Sequence, residues 1–106
     1  MVKKQVKIIW DDEAKKSLKS IYNYIKNRES VETARKVRDT IVEQAKTLTD
    51  FPEKFTEEPF LKDEPGNNRF KVVWSYKIIY EVTDKAIYIL DIFHTGRDPS
   101  NIKRRK

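Results

Sequence analysis

Between Arg69 and Phe93 three β-patterned runs follow one another with only short turns between them, and this spacing constrains the fold more than any other feature of the chain. Phe70, Val72 and Trp74 alternate with Lys71, Val73 and Ser75. A tight reversal near Ser75 then leads into Tyr76, Ile78, Tyr80 and Val82, which alternate with Lys77, Ile79 and Glu81. Thr83, Asp84 and Lys85 make the next turn. The run from Ala86 to Phe93 is apolar on both faces apart from Asp91, the pattern of a strand in the middle of a sheet. It stops at His94, Thr95, Gly96, Arg97, Asp98 and Pro99.

The N-terminal half carries the helical period. After a strand from Gln5 to Trp10, Asp11 is placed to cap a helix whose apolar residues Ala14, Leu18, Ile21, Tyr22 and Ile25 recur at helical spacing. Asp12 and Glu13 stand in the first turn, where the helix dipole favours negative charge. Asn27 to Glu29 break the pattern. Ser30 can cap a second helix with Ala34, Val37, Ile41, Ala45 and Leu48 on its buried stripe. A connection this short makes the pair an antiparallel αα-hairpin. The expected fold is α+β, in the order β-α-α-β-β-β, with the helical pair on one face of a largely antiparallel twisted sheet. The other face of that sheet is then the functional candidate.

Asp50 to Asn68 is irregular and holds Pro52, Pro59, Pro65 and Gly66. A loop this long inside a compact domain has either a function or packing of its own. Phe51, Phe55, Phe60 and Leu61 argue for packing; the alternative is a mobile flap beside the active surface.

At 106 residues the chain fits one domain, spanning 1–106, with a single core. Cysteine is absent and histidine occurs once, so disulfides and thiolate metal sites are excluded and zinc lacks ligands. No cofactor is expected. The longest apolar run, Ala86 to Leu90, is far below a membrane span, and no apolar core follows the Lys-rich start, so a cytoplasmic protein without membrane contact is expected. The 23 basic against 17 acidic residues give +6, which favours polyanionic partners such as nucleic acid, the ribosome or an acidic protein. Residues 51 to 68 carry −3, leaving +9 on the helices, the hairpin and the tail. Lys103 to Lys106 form a basic run that reads either as a disordered, solvated end or as a seat for phosphate.

The run Tyr76, Lys77, Ile78, Ile79, Tyr80, followed by the apolar strand Ile87 to Phe93, His94 and Arg97 to Pro99, resembles the C-terminal sheet of the RelE/ParE toxins of type II toxin-antitoxin systems. The strand ending at Trp10, the acidic helix start at Asp11 to Ala14 and the stripe Leu18, Ile21, Tyr22, Tyr24 and Ile25 agree with it. The resemblance covers about nine-tenths of the chain and rests on pattern and order, not on an invariant catalytic signature.

It implies a growth-inhibiting toxin neutralised by a cognate antitoxin, whose other end binds operator DNA. Two targets are open, and a third reading, from another class, is an inactive or purely structural interaction module. In the ribosome-dependent RNases of the family, cations on the sheet hold the messenger RNA phosphate while an acid and a base assist attack by the 2′-hydroxyl. By that resemblance Lys77 and Arg97 stand at or near the positions of two functional arginines, and His94 is a candidate proton carrier beside them. Arg69, Lys71, Lys77 and Arg97 are the candidate contacts to nucleic acid or target. Yet no tyrosine or histidine follows His94, and Tyr76 and Tyr80 read as strand core. The ParE-like members, which poison DNA gyrase by binding, resemble the chain more closely in the long αα-hairpin, the Arg-Asp-Pro ending and the poor acid/base equipment. For His94 itself, a hydrogen-bonding brace for the Thr95 to Asp98 turn stands beside the catalytic role.

Overall fold

A computed structural model describes residues 6–97 and Ile102. Gln5, Asp98, Pro99 and the Lys103 to Lys106 run lie outside the described residues. Strand β1 (Lys7–Trp10) leads into helices α1 (Asp12–Arg28) and α2 (Val31–Lys46). Two single-turn 3₁₀ helices, Thr47–Thr49 and Pro59–Leu61, punctuate the long connection to strands β2 (Asn67–Val73), β3 (Tyr76–Val82) and β4 (Ala86–His94). The sheet order is β1-β4-β3-β2, with β1 parallel to β4 and the other pairs antiparallel. The apolar strand β4 is therefore central, as its two-sided pattern requires.

The helix boundaries follow their chemistry, with one difference. Ser30 caps α2 by accepting from the Thr33 N–H at 3.0 Å. Asp11 has the extended backbone of an N-cap but makes no side-chain capping bond to α1; its own N–H donates to Ile89 O at 2.9 Å, which ties the helix start to the sheet.

Two cores lie on the two sides of the sheet. Under the helices, Ala14, Ile41, Ala45 and Leu48 pack on Val73, Ile78, Tyr80, Ile87, Ile89 and Ile92. On the far side Ile79, Leu90 and Phe93 are covered by Leu61 and Ile102, with Phe70 and Tyr88 at the margin. A register shift between Ile79 and Tyr80 in the β3–β4 pairing makes this possible. It lets Ile89 and Ile92, three apart, face the helices while Leu90 and Phe93 face away. The far face is thus partly covered where the sequence suggested an open functional surface.

The connection between α2 and β2 is held by polar straps. Tyr80 Oη donates to Pro52 O at 2.8 Å, and Arg69 donates to Phe55 O at 2.7 Å and Glu53 O at 3.2 Å. Glu58 N–H donates to Asn68 O at 2.9 Å and Phe70 N–H to Thr56 O at 3.0 Å, so the loop pairs with the N-terminal part of edge strand β2. Of the four large apolar loop residues, Leu61 is buried and Phe55 packs against the main core, whereas Phe51 and Phe60 are exposed at 70% and 53%. Packing of the loop runs through carbonyls and straps more than through its aromatic rings. At Gly66, φ is +105° and an added Cβ would lie 2.6 Å from the Glu81 carboxylate, so a side chain there strains the backbone and displaces Glu81.

The two-residue turn Trp74–Ser75 joins β2 to β3. Trp74 has φ +55°, a left-handed backbone that costs a bulky residue about 1–2 kcal/mol and that glycine adopts freely.

The Tyr80 strap generates a prediction. Tyr80→Phe keeps the buried ring and leaves Pro52 O without its donor, so stability should fall by about 1 kcal/mol in urea denaturation. Cleavage by a protease near Pro52 should speed up with it, and an unchanged proteolysis rate would show that the strap does not hold the loop.

Candidate functional site

The β2–β3 turn and the end of β4 meet at one pole of the sheet. Thr95 N–H donates to Ser75 O at 2.8 Å, which joins the Trp74–Ser75 tip to the His94–Arg97 turn. That turn is closed by Arg97 N–H donating to His94 O at 3.0 Å and by Gly96 N–H donating to His94 Nδ1 at 2.9 Å. A Cβ at Gly96 would sit 3.1 Å from the imidazole, so any larger residue there makes the His94 ring give by a few tenths of an ångström. The exposed His94 ring also packs edge-on to Tyr76, with centroids 5.3 Å apart. With Nδ1 accepting, the proton of a neutral imidazole lies on Nε2.

Lys77 and Phe93 are cross-strand partners next to this turn. The Lys77 ammonium meets Glu58 Oε2 at 2.7 Å and lies 4.2 Å from the centroid of the Phe70 ring. Glu58 is fully buried and the Lys77 side chain is 16% exposed. The sequence offered no reason for burial of Lys77; the reason is tertiary, since the covering loop brings Glu58 onto it. Arg97 is exposed, with its guanidinium 5.0 Å from the Phe93 ring centroid.

The remaining cations point elsewhere. Lys71 lies toward the helices, where its ammonium bonds to Gln44 Oε1 and, at 3.1 Å, to Thr47 Oγ1, over the Phe55 ring. Burial and the neighbouring Lys54 ammonium push its pKa below the ordinary lysine value. Arg69 straps the loop and bonds Asn67 Oδ1 at 2.9 Å, with Glu57 at 3.8 Å. Thus the structure sets Lys77 opposite Phe93 in the strand register and Arg97 over the Phe93 ring, puts His94 against Tyr76, and leaves Lys71 on the helix side of the sheet.

The tyrosines are poor proton donors or acceptors. Burial pushes Tyr80 up to about 12, partly opposed by Arg69, and Tyr76 is raised by burial, then by Tyr24 and Glu29. Asp91 is raised by burial, against the opposing pull of the Ser17 hydroxyl, which donates to it at 2.5 Å, and of the Ile92 N–H and Arg97. Among the described residues no cluster of three or more acidic groups and histidine could hold a metal ion, and no helix is long and apolar enough to cross a membrane.

Two members of this pole were not singled out as site residues by the sequence. Glu58 had no local signal, because its pairing with Lys77 is set only by the loop's path. Trp74, which the alternation assigns to the strand with Phe70 and Val72, lies instead in the turn; its place beside the tight reversal near Ser75 is the signal.

Known proteins share this architecture. The chain matches the model of the ParE toxin of the type II toxin-antitoxin system parDE over residues 8–99. Its fold superposes on a chain of the chromosomal ParDE toxin-antitoxin system from P. aeruginosa with a TM-score of 0.74 at 26% identity, covering 87% of this chain and 98% of that one. No curated protein matches it in sequence. The chain belongs to the ParE toxin family of type II toxin-antitoxin systems. Membership in such a system carries with it an antitoxin partner.

The buried pair and Asp91 each generate a prediction. Lys77→Met leaves Glu58 buried without a counter-ion and should destabilise by about 3–5 kcal/mol, while the double change Lys77→Met with Glu58→Gln should recover most of that loss. Equal stabilities of the single and double variants in chemical denaturation would show that the pair is not coupled. For Asp91, a raised folded pKa means that the native state holds its proton to higher pH than the unfolded chain does. Its contribution is therefore largest below the unfolded carboxylate value and is lost as pH rises through the raised one. Asp91→Asn can still accept from Ser17, so its stability relative to wild type should improve as pH rises through the carboxylate range, measured by parallel melts. A difference that is flat with pH would contradict the shift.

Proposed function

We propose that this toxin arrests growth by binding a protein target, DNA gyrase, and not by cleaving messenger RNA. The observation that carries the reading is the engagement of Lys77 by the buried Glu58. A cation meant to offset charge on a transition-state phosphorane must be free to meet it, and this one is already neutralised and shielded by Phe70. The acid/base side agrees. His94 has one nitrogen committed to the Gly96 N–H, and the pKa of the adjacent Tyr76 is shifted away from neutrality. Of the proposed contacts, Arg97 is the cation left exposed for a target, while Arg69 and Lys71 serve the loop and α2.

In this reading the whole chain, 1–106, is one toxin domain acting in the cytoplasm. A cognate antitoxin with an acidic, disordered segment folds over its basic surface, and operator DNA is reached only through that antitoxin. No cofactor takes part.

The test uses purified toxin with gyrase and supercoiled plasmid, beside translating ribosomes charged with messenger RNA. Trapped gyrase with broken DNA and intact message is expected. Cleaved message with unimpaired gyrase would replace this reading by the ribosome-dependent RNase.

A further inference from the structure

Trp74 is costly to the fold on two counts. It holds a left-handed backbone, φ +55°, at a turn position where glycine would be unstrained, and it leaves an indole 54% exposed. Among the described residues neither is offset: the ring makes no stacking or cation–π contact, and its N–H meets no acceptor. Trp74 is the one non-glycine residue with positive φ among the described residues. Strain kept in an exposed aromatic at a loop tip is the arrangement of a binding anchor.

Its surroundings define the partner. Val72, two residues before it on the edge strand, is 53% exposed and is the cross-strand neighbour of Lys77, which in turn pairs with Phe93 beneath Arg97. The pole therefore offers two apolar side chains two residues apart and, across a neutralised lysine, one exposed guanidinium. Nucleic acid would need several free cations to follow its phosphates, and here Arg69, Lys71 and Lys77 are all engaged within the chain. A compact anchor of this kind suits a pocket on a folded surface; a wrapping segment needs a longer track. The backbone of the hairpin tip is also fastened, through Thr95 N–H to Ser75 O at 2.8 Å.

We propose that Trp74, with Val72 and Arg97, is the anchor by which the toxin engages its protein target, entering an apolar pocket bordered by carboxylates on that target. The inference rests on the reading of the toxin as a binder of a protein target, and it assigns that role to the hairpin tip.

Trp74→Gly tests it, because glycine relieves the backbone strain while deleting the anchor. The variant should melt at the same temperature as wild type or higher, and should still co-purify with the antitoxin encoded beside the toxin. Growth arrest on induction should weaken roughly tenfold or more in surviving colonies, the size expected for loss of a central aromatic anchor. Trp74→Asn, which also tolerates left-handed backbone, should behave alike and guards against a folding defect peculiar to glycine. A folded variant as toxic as wild type overturns the proposal, and so does one that keeps toxicity but no longer holds the antitoxin, which would give the tip to the antitoxin instead. Assay of the same proteins on gyrase separates the two inferences. Wild type inert on gyrase but still arresting growth removes gyrase as the target, while the comparison of growth arrest continues to judge Trp74.

Discussion

Burial of β4 on both faces is the constraint from which the rest of the structure follows. A central strand with apolar residues on each side has to be covered twice, and the two helices can cover only one side. The second covering comes from the irregular segment between α2 and β2, which places Leu61 over Ile79, Leu90 and Phe93, with Ile102 beside it. The register shift near Ile79 and Tyr80 divides the strand's side chains between the two cores. Every feature of the far face, including the fate of its cations, is set by that second covering.

Covering the far face brings a carboxylate with it. Glu58 is drawn under the loop to full burial and requires a counter-charge, which Lys77 supplies from the adjacent strand. A lysine near the start of β3 is thereby turned into one half of a structural pair. The hairpin tip, the His94–Arg97 turn and the end of the sheet converge at the pole beyond this covering.

That pole divides its labour between bracing and display. His94 and Gly96 close the turn, and Thr95 fastens it to Ser75, so the backbone of the tip is determined from both sides. On this rigid support Trp74 and Val72 are displayed with little contact of their own. Such a division, a braced frame carrying strained and exposed side chains, is how a small domain keeps a binding element ordered without burying it.

The sequence by itself determined the element order, the central place of β4, the Ser30 cap and the hairpin geometry, because these depend on periodicity and turn chemistry within a few residues of one another. It also placed the chain among the RelE/ParE toxins through the Tyr76 to Tyr80 strand and the His94 ending. The near-exhaustion of the sheet's free cations was not legible there. Lys77 reads as a solvated strand lysine until Glu58 arrives from a distant loop, and Arg69 and Lys71 read as phosphate contacts until they are seen bonded to loop carbonyls, Gln44 and Thr47. Likewise Phe51 and Phe60, apolar enough to predict burial, stay exposed because the straps and not their rings hold the loop. Local pattern sets which residues can pair, but charge is neutralised through space, and only the tertiary path of the chain decides which ammonium meets which carboxylate.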